Sequence, residues 1–328
     1  MTIFGIDFSP LFSPGFLIGI VLVTAGIYTI FTLGLQLNVS QTGIMNFGQV
    51  GFAALGAYGT ALFILRAGLP TILALVLGII VANVFSLLMS LTALRLRADF
   101  LAIAMLVSAE AIRLVALNWL DVTHGDNGVA CDESNVCFDD GWNALAGRMI
   151  DFAHSLGWTN VDPMVPLVVV EWASALVLTV LLVYLKKSPW GRVLRAIAED
   201  ENAARAVGHN TLAYKMQSMA IGGSLGALAG FFIALNLASV SPTQFNPLVT
   251  FLGFVVLLIG GLGNYWAIPL ASVITWFVIA GTEQIDLGMA PDKQAAIRYI
   301  IAGVVIMALM AFRPQGLMGK REEMVLGD

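Results

Sequence analysis

Two ionisable side chains sit where charge is expensive. Glu110 and Arg113 fall inside the apolar run LAIAMLVSAEAIRLVALNWL, and their three-residue spacing puts them on one helix face. Charge inside a spanning helix must be paired or must face a polar cavity. The two either neutralise each other among neighbouring helices or line a path for a polar solute. Two glycine-rich stretches carry further polar groups. One runs from Gly43 to Gly59 with Asn46, Gln49 and Tyr58; the other is Gly260-Gly261-Leu262-Gly263-Asn264. Small residues let helices approach closely, and helices broken near glycine can expose backbone groups to a solute. Ordinary tight packing explains most of these glycines equally well. Glu171 reads as an interfacial carboxylate near the outer end of its span, and Asn83 and Gln217 as hydrogen-bonding groups between helices.

Enzyme chemistry finds no footing. GxxxxGK[ST], HExxH and paired CxxC patterns do not occur, and His124, His154 and His209 are scattered over loops. No nucleophile, base and oxyanion hole assemble. No metal site and no cofactor bound by this chain are expected.

The elements that position these residues follow from composition. Of 328 residues, 59% are hydrophobic and 11% charged, against roughly 45–50% and about a quarter in soluble proteins. A bilayer, not a soluble core, accommodates that much apolar side chain. A spanning helix needs about 20 mostly apolar residues. Nine stretches qualify or come close: 15–37, 49–65, 70–94, 99–120, 163–185, 213–236, 248–263, 266–281 and 296–312. The second, seventh and eighth are short and open to being re-entrant or broken, so the expectation is about nine spans, eight to ten. Barrel strands would alternate with period two; these runs are continuous. The fold class is therefore an all-α polytopic transmembrane helix bundle, a single transmembrane domain over 1–328. The first basic residue is Arg66, so no cleavable targeting signal is expected.

Loop charge sets orientation. The segment 186–212 carries Lys186, Lys187, Arg192, Arg195 and Arg205, the C-terminus Arg313, Lys320 and Arg321, and the third span ends in Arg95 and Arg97. The loop 121–162 has Arg148 alone among eight acids. Placing 186–212 in the cytoplasm puts 121–162 outside. Nine spans then put the N-terminus outside and the C-terminus in the cytoplasm. Cys131 and Cys137, in the outside loop, are compatible with either a disulfide or two free thiols. GFAALGAYG at 51–59 and GGSLGALAG at 222–230 hint at an internal repeat too loosely to define one.

The basic loop reads KKSPWGRVLRAIAEDENAARAVGHNTLAYK. Ala196 to Val207 lacks proline and glycine and reads as one short helix capped by Gly208. Leu194, Ile197, Ala198, Ala204 and Val207 form its apolar strip. Glu199, Asp200 and Glu201 disfavour an anionic lipid surface for this helix and favour docking into a protein groove.

Here the sequence resembles the permeases of ABC importers. Asn202-Ala203-Ala204-x-x-x-Gly208 is similar to their EAA-x-x-x-G loop, with Asn202 in place of the usual Glu and the later Ile-x-Leu-Pro part missing. Other blocks resemble the branched-chain amino acid permease family. These are Gly43-Ile44-Met45-Asn46-Phe47-Gly48-Gln49 with Gly56-Ala57-Tyr58, Ala93-Leu94-Arg95-Leu96-Arg97-Ala98-Asp99-Phe100-Leu101-Ala102-Ile103, Glu199-Asp200-Glu201 through Arg205 to Gly208, Gly260-Gly261-Leu262-Gly263, and Phe312-Arg313-Pro314-Gln315-Gly316-Leu317. They lie in order across nearly the whole chain; the acidic insert at 121–162 is a departure.

The resemblance implies a permease subunit in a bacterial or archaeal plasma (inner) membrane. Its partners would be a second permease, identical or paralogous, two cytoplasmic ATPase subunits carrying ATP and Mg, and an extracytoplasmic solute-binding protein. Nucleic acid has no part. The substrate would be a branched-chain or other neutral amino acid, or alternatively urea or a short amide. The segment 186–212 would be the coupling loop, with Glu199, Asp200, Glu201, Ala203, Ala204, Arg205 and Gly208 at its centre. Asn46, Gln49, Tyr58, Glu110, Arg113, Gly260, Gly261 and Gly263 are the candidates for the translocation path. A competing class, an ion-coupled carrier, would turn on Glu110.

Overall fold

The computed structural model describes residues 2–3, 6–7, 13–93, 98–131, 137–158, 161–284, 303–304 and 316–318. Of the expected ninth span at 296–312 only residues 303–304 are described, and Arg95, Arg97, Arg313, Lys320 and Arg321 lie outside the described residues. Apart from a two-residue antiparallel pairing of Thr2–Ile3 with Ile6–Asp7 and two isolated bridges, the described chain is helical.

Among the described residues, six helices are long and apolar enough to cross a bilayer. They are α1 (Gly15–Thr42), α2 (Gln49–Ala67), α3 (Thr71–Ala93), α4 (Ala98–Asn118), α6 (Val165–Lys187) and α9 (Thr211–Leu237). The first eight residues of α1, Gly15–Leu22, are π-helical. Two shorter apolar helices, α10 (Pro247–Gly260) and α11 (Ala267–Gln284), occupy the seventh and eighth expected stretches. The second stretch is one continuous 19-residue helix, not a broken one. Between α4 and α6 the acidic insert folds into α5 (Asp140–Ser155). Between α6 and α9 lie α7 (Pro189–Glu199) and α8 (Glu201–Ala206).

The helices form a centre and a rim. In α1, α2 and α9, 67%, 61% and 72% of the most apolar window is buried; in α3, α4 and α6 the shares are 22%, 22% and 28%. Lipid tails are as apolar as leucine, so close packing and buried hydrogen bonds hold the centre. The two glycine-rich segments read as a faint repeat pack on one another. A Cβ on Gly56 would lie 2.3 Å from the Ala227 carbonyl oxygen, and one on Gly230 would lie 1.9 Å from that of Ala53. Only glycine permits this approach. Buried polar residues of α1 then tie it to its neighbours. Thr29 shares a hydroxyl hydrogen bond of 2.7 Å with Ser272 of α11, and Asn38 accepts from Ser218 of α9 at 3.2 Å. Asn83 bonds Ser224 between α3 and α9, and Gln217 of α9 accepts from Trp190 of α7 at 2.7 Å, as their sequence setting suggests.

At one end the turn between α10 and α11 is held from three sides. The Gln36 amide, oriented by the two N–H groups facing it, accepts from Gly263 N at 2.5 Å and Asn264 N at 3.1 Å. Lys186, at the end of α6, donates to the Gly263 carbonyl. Leu317 N donates to Ile259 O at 2.7 Å, and Gly316 sits against Gly261. Two blocks far apart in sequence, GGLG and the end of FRPQGL, are thus in contact.

Candidate functional site

The basic loop is built to stay attached to the bundle. Ser188 caps α7, accepting from Gly191 N at 3.3 Å, and Pro189 opens the helix with its φ already set. Leu194 and Ile197 turn inward to be buried, and α7 packs on α1 and α6. The expected single helix from Ala196 to Val207 is broken at Asp200, whose backbone is extended (φ −151°, ψ 105°). Its carboxylate accepts from Asn202 N at 2.8 Å and Ala203 N at 3.0 Å. An aspartate offers the backbone this capping alternative, and here the cap wins over helix continuation.

Glu201 then clamps α8 to the start of α9. Its carboxylate accepts from Lys215 Nζ at 2.5 Å, Arg205 at 2.7 Å and the Thr211 hydroxyl at 3.0 Å. Burial alone would raise this carboxyl, but the hydrogen bond and charge of Lys215, with Thr211 and Arg205, outweigh it and hold the group below the ordinary glutamate range. Ala204 is buried, while Ala203, Ala206 and Val207 are exposed; Val207, expected in the inward strip, is 76% exposed. Gly208 follows with φ +93°, a left-handed turn that glycine adopts at no steric cost. The loop thus presents a small apolar face from a braced base. Glu199 lies exposed at the end of α7.

The path candidates separate into three places. Asn46 and Gln49 are fully buried, and Asn46 Nδ2 donates to Gln49 Oε1 at 2.8 Å. Gln49 Nε2 donates in turn to Gly222 O at 2.9 Å. Within this chain their polar atoms serve the crossing of α1, α2 and α9. Gly260, Gly261 and Gly263 form the turn at the basic end described above. Tyr58, Glu110 and Arg113 lie towards the opposite end. Glu110 and Arg113 form a forked ion pair with a closest contact of 2.5 Å, and their side chains are 33% and 22% exposed on the rim helix α4. The Tyr58 ring meets Phe245, and its buried hydroxyl has no hydrogen-bond partner among the described residues. Asp126, in the turn Gly125–Asn127, lies within electrostatic reach of both Tyr58 and Arg113. Sequence reasoning passed over Asp126 because it is one acid among eight in the insert.

Glu171 corrects a further expectation. It is fully buried, and neither carboxylate oxygen has a partner among the described residues. It turns inward because Gly26 of α1 leaves the space, while the adjacent Trp172 donates to Leu22 O at 3.0 Å.

In the insert, Cys131 and Cys137 are joined as a disulfide across an antiparallel bridge. A second bridge, Val129 to Val240, fastens the insert to the turn between α9 and α10. Cys137, Asp139 and Asp140 offer ligand atoms within 4.8 Å of one another. The Cys137 sulfur is already bridged, and Asp140 accepts from Cys137 N at 2.7 Å. Two carboxylates are a thin donor set for a cation.

A bundle of apolar spanning helices with this polar cluster and a braced basic-end loop defines a polytopic helical membrane protein. The family model for the branched-chain amino acid transport system permease component matches residues 17–310, and the chain belongs to that family. It is 30% identical over 298 residues to the high-affinity branched-chain amino acid transport permease LivM of Salmonella typhimurium, covering 89% of this chain and 68% of that protein. It is 25% identical to a probable LivM of Methanocaldococcus jannaschii over 93% and 94% of the two chains. It is 22% identical to the Salmonella typhimurium LivH permease over 90% and 92%. No solved structure matches. These relatives are transport permease proteins.

Proposed function

We propose that the chain is a permease subunit of an ATP-binding-cassette importer for branched-chain or other neutral amino acids. It works with a second permease, two ATPase subunits carrying ATP and Mg, and an extracytoplasmic solute-binding protein. The observation that carries the reading is the basic loop. A small exposed apolar face stands on a base clamped through Glu201 to α9, the most buried spanning helix. Force applied to that face by a partner would pass through Lys215 and Thr211 into the centre of the bundle, the kind of rigid transmission that alternating access requires.

The topology proposed with it has nine spans, the N-terminus and the 121–162 insert outside, and the 186–212 loop and C-terminus in the cytoplasm. The basic residues at the end of α6 support this orientation. A forked charge pair on the rim of α4 is unsuited to lipid tails. We assign that face, with Tyr58 and Asp126, to the outer part of the path, covered by the second permease. Urea or a short amide remains the alternative solute.

The test is affinity purification in mild detergent. Ala204 is buried, so a charge there would damage the loop itself. The informative variant is Ala203→Glu with Val207→Glu, both on exposed positions. The wild type should bring down an ATPase carrying a phosphate-binding loop, and the variant should lose it while still eluting as a single non-aggregated peak on gel filtration. A wild-type chain that purifies without any ATPase sinks the proposal. The ion-coupled carrier gains one observation from the structure, the buried and unpartnered Glu171. Glu171→Gln should leave ATP-driven uptake intact and would abolish uptake by such a carrier.

A further inference from the structure

A cavity of about 590 Å³ opens at the basic end of the bundle, between the end of α6, one face of α7 from Arg192 to Glu199 and the turn that precedes α11. Lys186, Lys187, Arg192 and Arg195 line it, against a single acid, Glu199. Lys186 is engaged with the Gly263 carbonyl. Lys187, Arg192 and Arg195 are exposed, and none of them forms an ion pair among the described residues. The cavity also has an apolar side, made by Val183 of the spanning helix α6 and by Trp266, which is 51% exposed just ahead of α11. Tryptophan at the end of a span marks the depth of lipid headgroups. The same cavity thus joins the exposed cations Lys187, Arg192 and Arg195 to an apolar wall at the membrane–water boundary.

We infer that this cavity binds the phosphate group of an anionic phospholipid, with its acyl chains running along Val183 and Trp266. Arg195 and the remaining N–H groups of Arg192, whose Nη1 donates to Lys187 O at 3.2 Å, supply forked donors that suit phosphate oxygens. Basic pockets between spanning helices are suited to anionic headgroups. A free phosphate would use the cations but would leave the apolar wall idle. The inference rests on the proposed orientation only for which leaflet supplies the lipid. Because α7 forms one wall, a bound lipid would brace the base of the basic loop from the membrane side.

The test uses the full chain, with whatever subunits co-purify, in mild detergent. Native mass spectrometry would follow binding of phosphatidylglycerol, phosphatidylcholine and inorganic phosphate, each added separately. The variants are Arg192→Gln with Arg195→Gln, Lys187→Gln alone, and Arg148→Gln in the insert as a control. Removing two charge-assisted contacts should weaken phosphatidylglycerol binding about tenfold or more. Lys187→Gln should weaken it by a smaller factor, and Arg148→Gln should not change it. Phosphatidylcholine should bind without sensitivity to any of them. Equal phosphatidylglycerol binding by wild type and both cavity variants would overturn the inference, as would equal affinity for the two lipids. Phosphate binding as tight as phosphatidylglycerol, with the same sensitivity, would assign the cavity to a soluble anion instead. Loss of an ATPase subunit from the arginine variant with lipid binding intact would assign the arginines to protein docking. A lipid effect in a chain that brings down no ATPase would stand even if the importer reading failed.

Discussion

Replacing Gly230 with alanine would place a methyl group 1.9 Å from the Ala53 carbonyl oxygen, where a real Cβ needs at least 3.0 Å. The obstacle is helix backbone on both sides, so neither a rotamer change nor a loop adjustment relieves it. The helices α2 and α9 must part by about 1.1 Å at that point, the difference between the two distances. A gap of 0.5–1 Å already forfeits roughly a quarter to a half of the dispersion energy of each contact. The seam runs from Gly226 beside Gln49 and Phe52 through Ala227 against Gly56 to Gly230. Parting it also stretches the 2.9 Å bond from Gln49 to Gly222. Overpacking of about 1–3 kcal/mol and a lost buried hydrogen bond of about 0.5–1.5 kcal/mol give a destabilisation of about 1.5–4.5 kcal/mol. The assay is fluorescence-detected gel filtration of the detergent-purified protein after a temperature ramp. Gly147→Ala in α5, where a Cβ meets nothing within 4 Å, should be neutral or slightly stabilising, since alanine suits a helix better than glycine by about 1 kcal/mol. If Gly230→Ala melts with the wild type, the backbone-contact account of the α2–α9 seam is wrong.

The Glu201 clamp carries a pH signature. Its carboxyl ionises below the ordinary range when folded, so its contribution is complete above that range and is lost as pH falls through the lowered value. Glu201→Gln should cost about 1 kcal/mol at neutral pH, given the solvent screening of a part-exposed pair, and should flatten this part of the acid limb of a thermal-stability profile. In vesicles reconstituted with all subunits, Glu110→Gln and Arg113→Met should each impair uptake more than the double variant does, because each single change leaves one charge unpaired; additive losses would contradict direct coupling. Maleimide should label Cys131 and Cys137 only after reduction, and the Cys131→Ser, Cys137→Ser pair should cost less than about 3 kcal/mol, because the closed loop is short.

Apolar run length made the spanning helices legible: eight of the nine expected stretches correspond to α1–α4, α6 and α9–α11, shifted by a few residues at their ends. Hydrophobicity integrates over a whole segment and tolerates local error. Single residues that choose between two local structures were not legible in that way. Asp200 could continue a helix or cap the next one, and the side-chain cap decided it. Glu171 lies near an apparent interface by position, yet the opening beside Gly26 turns it inward. The helix α5 escaped notice because the insert has no long apolar run, only a short amphipathic stretch. The glycine-rich stretches were conspicuous, but their role as two halves of one seam is a fact of tertiary contact that no single segment encodes.

The contact between Gly316–Met318 and the turn after α10 has a consequence for topology. The chain leaves that turn at Ala267 and travels along α11 to Gln284, a rise of about 27 Å at 1.5 Å per residue. By Leu317 it is back beside Ile259, and Asn264 Nδ2 donates to Met318 O at 3.3 Å. Gly316–Met318 and the turn that precedes α11 stand at one end of the bundle. Residue 318 therefore shares its side of the membrane with Lys186, which reaches the same turn. A tag at residue 318 and a tag in the 186–212 loop must report the same compartment, so a single topology reporter on either would fix both.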